Sequence, residues 1–86
     1  RYHGYGAPLR ARVHAVRNSL QRLEDSRVQG AGGFVKDARD RLDVIVDAIE
    51  TSEHMTPEQR RRAHASITSE LDGIDSEIMS TMGLTA

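Results

Sequence analysis

Apolar residues recur along this chain at helical spacing in three separate stretches. In the first, Leu9, Val13, Val16, Leu20 and Leu23 follow one another at steps of four, three, four and three. That is the period of a helix burying one narrow seam. Pro8 precedes the seam and suits a first helical turn, where its missing N–H is not needed. The seam ends as it meets Arg27 and Gly30, and Gly30-Ala31-Gly32-Gly33 reads as a breaker, since each glycine weakens a helix.

A second seam runs through Val35, Ala38, Leu42, Ile45 and Ile49, and Phe34, Val46 and Ala48 widen it. Asp40, Asp43, Asp47 and Glu50 form an acidic stripe beside it, and the pattern fades near Glu53. Thr56-Pro57-Glu58-Gln59 is the clearest local signal. Thr56 can cap a helix, Pro57 can open it, and Gln59 can close a capping box. A third seam follows at Ala63, Ile67, Leu71, Ile74, Ile78 and Met82, with Gly83 as its stop. Gly73 interrupts this helix at about 1 kcal/mol relative to Ala. The apolar steps pass through it without a change of phase, so one continuous helix is expected.

The pattern therefore predicts an all-α protein with helices over about 8–29, 34–53 and 57–82 and no sheet. Leu20, Leu23, Leu42, Ile45, Ile49, Ile67, Leu71, Ile74 and Ile78 are its expected core. Short connections favour an antiparallel three-helix bundle at shallow, coiled-coil-like angles. The alternative is a helical hairpin that dimerises with the remaining helix outside. Residues 1–7 lack periodicity and read as an extended arm; residues 8–86 form one helical-bundle domain.

Composition narrows the chemistry. Eighty-six residues leave little room for both a cleft and a full core. The chain is free of cysteine, which removes disulfides, thiolate metal sites and a cysteine nucleophile. No apolar run approaches a membrane span, and the start has no apolar signal-peptide segment, so a cytoplasmic location or leaderless export is expected. Gly30 to Lys36 lacks the Gly-Lys-Ser/Thr ending of a phosphate loop. The histidines show neither Glu-x-x-His nor His-x-x-x-His spacing, and the solvated end of helix two near Asp47, Glu50 and His54 needs no metal. Asp72 to Glu77 lacks the alternating acids of a calcium loop. Ser66, Thr68, Ser69, Ser76, Ser80 and Thr81 read as a polar helix face. No catalytic residue, cofactor or metal is called for.

Charge is distributed unevenly. Residues 1–30 hold six arginines against two acids, and residues 31–55 hold six acids against three bases. A basic first helix and an acidic second one are expected to be neighbours. Arg60-Arg61-Arg62 opposes the macrodipole at the start of helix three. Either Asp47, Glu50 and Glu53 face these arginines across the hairpin, or they hold an external anionic partner.

The reading that emerges is a non-catalytic interaction or assembly module. It binds a protein partner or itself through apolar seams, with Phe34, Val28 and Met82 on its apolar flanks, and a homo-oligomer or larger assembly is expected. Tyr2 and Tyr5 in the arm, with Arg10, Arg17, Arg60, Arg61 and Arg62, are the candidate partner-binding residues. The second reading is a small nucleic-acid-binding regulator using Arg10, Arg17 and Arg60–Arg62. Near-neutral charge and the absence of aromatics beyond Tyr2, Tyr5 and Phe34 weigh against it. Capping, seam spacing and loop glycines are generic helical features and carry no family resemblance.

Overall fold

A computed structural model describes residues 6–83. Three helices follow in order: α1 (Ala7–Asp25), α2 (Ala31–Ser52) and α3 (Pro57–Thr81). Each packs against the other two, and the described residues contain no strand. The antiparallel three-helix bundle is therefore the fold. The alternative with one helix outside does not hold, because α1 buries Leu9, Val13, Val16, Leu20 and Leu23 against its neighbours.

The three seams meet along one axis. All nine expected core residues are buried, and Val13, Val16, Val35 and Ala38 extend the same cluster. Fully burying a Leu or Ile side chain contributes roughly 1.5–3 kcal/mol, so this seam is the main source of stability. Gly73 lies inside a continuous α3, facing open space. Met82 does not continue the seam. It caps α3 and is exposed.

The connection between α1 and α2 departs from expectation. α1 stops at Asp25, earlier than 29, and α2 starts at Ala31, three residues before Phe34. The Ser26 hydroxyl donates to the Leu23 carbonyl at 2.7 Å, and the Arg27 N–H donates to the Glu24 carbonyl at 3.1 Å. Arg27 takes a left-handed backbone with φ of 58°, a position that glycine more often fills at a helix end. Gly30 is also left-handed, at φ 83°, and turns the chain into α2. The break thus rests on Arg27 and Gly30 alone. Gly32 and Gly33 sit in the exposed first turn of α2, where helix-breaking tendency matters little, while Ala31 is buried against the core.

At the opposite end, Ala7 is already helical, so the arm is shorter than residues 1–7 suggest. Tyr2 and Tyr5 lie outside the described residues. Gly6 is wedged against α2, where an added Cβ would come within 2.9 Å of Ile49 Cγ2 and 2.8 Å of Glu53 Oε2. Only glycine allows the chain so close. The α2–α3 turn carries the expected capping box: the Gln59 N–H donates to Thr56 Oγ1 at 3.2 Å, and the Thr56 N–H donates to Gln59 Oε1 at 3.3 Å.

Ion pairs join the helices in a fixed register. Arg10–Glu53 at 3.0 Å, Arg17–Asp43 at 3.2 Å and Arg39–Glu24 at 3.1 Å link α1 to α2, as the opposite charges of the two segments suggest. Arg41–Glu77 at 3.1 Å links α2 to α3. Arg12 reaches Asp72 at 2.8 Å and Asp75 at 2.6 Å on α3. The hydrogen bond to Asp72, then that to Asp75, raises the Arg12 pKa against the opposing effect of burial. Because the folded pKa is raised, this contribution is fully present below the ordinary arginine value and is lost only in strong alkali. Partly exposed pairs add little energy singly; their joint effect is to select one alignment of the helices.

Candidate functional site

The α2–α3 face carries the most exposed large apolar residue described, Val44. On α2, Val44, Ala48 and Thr51 fall at helical steps of four and three, so they share a face, and Met55 lines the same groove from the turn that follows. On α3, Ala63, Ser66, Ile67 and Glu70 lie opposite. Where the inner seam has Leu and Ile, these helices meet here through Ala48, Ala63 and Ser66. Small side chains leave an open groove of about 290 Å³ between them. Its lining by Val44, Ala48, Met55, Ala63 and Ile67 is mostly apolar and suits apolar side chains. Val44 stands at the groove with 67% of its surface exposed, the most of any large apolar residue described. Phe34 and Val28, read from the sequence as apolar flanks, instead pack half-buried against the core.

The groove has an acidic border. Asp37 and Asp47 lie seven residues before and three after Val44, on the same side of α2, and Glu70 lines the groove from α3. These three make no ion pair among the described residues. The nearby cations are already matched: Lys36 with Asp40, Arg41 with Glu77 and Arg62 with Glu58.

The candidate arginines are scattered rather than gathered. Arg10 and Arg17 point to α2 carboxylates. Arg60 donates from Nε to the Ser52 carbonyl at 3.3 Å and from Nη2 to the Met55 carbonyl at 2.9 Å. It thereby adds a second bond to the Ser52 carbonyl, which also accepts the Met55 N–H, and ties α3 to the turn at the negative end of the α2 dipole. The expected pairing of the three arginines with Asp47, Glu50 and Glu53 takes another form: Glu53 turns to Arg10, and Arg62 bonds Glu58 one turn back on its own helix. Arg61 is exposed and makes no ion pair among the described residues; its helical neighbours Ala65 and Thr68 lie outside the groove.

One polar pair was not legible in the sequence. Ser52 is fully buried, and its Oγ lies 2.9 Å from His64 Nε2. The same hydroxyl donates to the Ile49 carbonyl at 2.7 Å. The Ser52–His64 bond joins α2 to α3 across the hairpin and acts as a clamp between them. Arg60 and His64 thus hold the two helices together at the closed end of the hairpin.

Among the described residues no three His, Asp or Glu side chains gather as a metal site, and no helix is long and apolar enough to cross a membrane. The arrangement defines a small three-helix bundle with one open, acid-bordered apolar face. The chain belongs to a family of unknown function, DUF6474, whose model matches residues 1–85. No curated protein and no solved structure matches it.

Proposed function

We propose that this chain is a non-catalytic interaction module that holds a protein partner, another chain or a second copy, in the α2–α3 groove. The observation that carries this reading is Val44, a β-branched apolar residue left 67% exposed beside a groove floored by Ala48, Ala63 and Ile67. Val44 is continuous with Ala48, Met55 and Ile67 along the groove, and a contiguous apolar strip supports docking where a lone exposed residue does not. The 4-3 seams on either side supply a rigid, coiled-coil-like frame for that surface.

A nucleic-acid regulator has less support. Arg10, Arg17 and Arg62 are matched by carboxylates, and Arg60 bonds the end of α2, so the cations offer no shared basic face. Salt-sensitive binding of DNA or RNA duplex at low ionic strength, where the electrostatic effect is strongest, would favour that reading instead.

The test is the size of the assembly in a gently lysed extract of the cells that make the protein. The chain is expected to elute well above the mass of the lone chain, and Val44→Asp is expected to lower that apparent mass with helicity unchanged. Wild type and variant eluting together as the lone chain overturn the proposal.

A further inference from the structure

We infer that the occupant of the groove is a basic amphipathic helix from a different protein. This rests on the reading of the groove as a docking site and adds the chemistry of what docks. The groove suits a short helical stretch: from Val44 to Thr51 the α2 rim runs about 10 Å, or two helical turns, and Met55 extends it into the turn. Its floor takes apolar side chains repeating at three and four residues, the pattern one helix face presents.

Charge chooses the partner. Glu70 lines the groove and Asp37 and Asp47 lie on the Val44 side of α2, all three without ion pairs among the described residues, while Lys36, Arg41 and Arg62 are each matched by a carboxylate. The surplus on this face is negative, so lysines and arginines flanking an apolar stripe complement it. The same surplus disfavours a second copy. A two-fold pairing of grooves sets the same patch against itself, bringing Asp47 and Glu70 of one copy against those of the other. Like charges across an interface suppress association.

The test uses the whole chain and two synthetic sixteen-residue helical peptides followed by fluorescence anisotropy. Both carry leucines at steps of four, three and four; one has lysines beside them and the other glutamates. The lysine peptide is expected to bind at least ten-fold more tightly at low salt, and the preference is expected to shrink as salt screens the charges. Asp47→Lys combined with Glu70→Lys is expected to reverse the preference, and Val44→Asp to abolish binding of both peptides, with melting curves showing that every variant stays folded. Equal binding of both peptides overturns the basic partner while leaving a docking groove in place. Binding of neither overturns it as well, and the assembly-size experiment then shows separately whether the groove docks a protein at all. Self-association of the purified chain that Val44→Asp abolishes makes a second copy the occupant and overturns the inference.

Discussion

Leu42→Ala is expected to destabilise the bundle by about 2–5 kcal/mol, the range for deleting a fully buried leucine and leaving part of its volume empty. Leu42 is 0% exposed at the middle of α2, within the cluster to which all three helices contribute. Each kcal/mol shifts Tm by about 4–8 °C in a domain of this size, so the midpoint should fall by roughly 8 °C or more. Stability is commonly only about 5–15 kcal/mol, so this one change removes a large share of it. Val44→Ala, two residues away but on the solvent side, should stay within about 0.5 kcal/mol of wild type. A thermal melt of the two variants separates the residue that holds the fold from the residue left available for a partner. Equal losses would mean that Val44 belongs to the core.

The second large effect is expected at Ser52. Ser52→Ala removes the hydroxyl that bonds His64 Nε2 and donates to the Ile49 carbonyl, in a fully buried position. Groups left without a partner there cost about 1–3 kcal/mol. Ser52→Ala combined with His64→Ala should cost less than the sum of the single changes, with an interaction energy of about 0.5–3 kcal/mol in a double-mutant cycle. Strict additivity would show that the two side chains do not act as a clamp.

How far these features were legible follows from what each depends on. The seams could be read because helical periodicity places Leu42, Ile45 and Ile49 on one face whatever the partner helix does. The helix ends were harder. Four residues with three glycines look like one break, yet only Gly30 needs the left-handed backbone that glycine favours. The other left-handed residue is Arg27, which no propensity scale marks as a turn. Nothing in the spacing marks Ser52: its partner His64 stands twelve residues away and meets it only when the hairpin closes.

The groove was hidden for a similar reason. Val44 adjoins the seam residue Ile45 in sequence, and the groove beside it depends on α3 presenting Ala63 and Ser66 opposite. The arginine triplet was visible as a conflict with the helix dipole. Its resolution, with Arg60 bonding the carbonyls of a different helix, depends on the geometry of the turn.

The most direct test of the docking face is site-specific photo-crosslinking in the living cells that make the protein. A benzophenone amino acid replaces Val44 in one version and Ala11, exposed on α1, in another. The account predicts discrete protein adducts from position 44 and few or none from position 11. Adducts from position 11 with none from position 44 would contradict it.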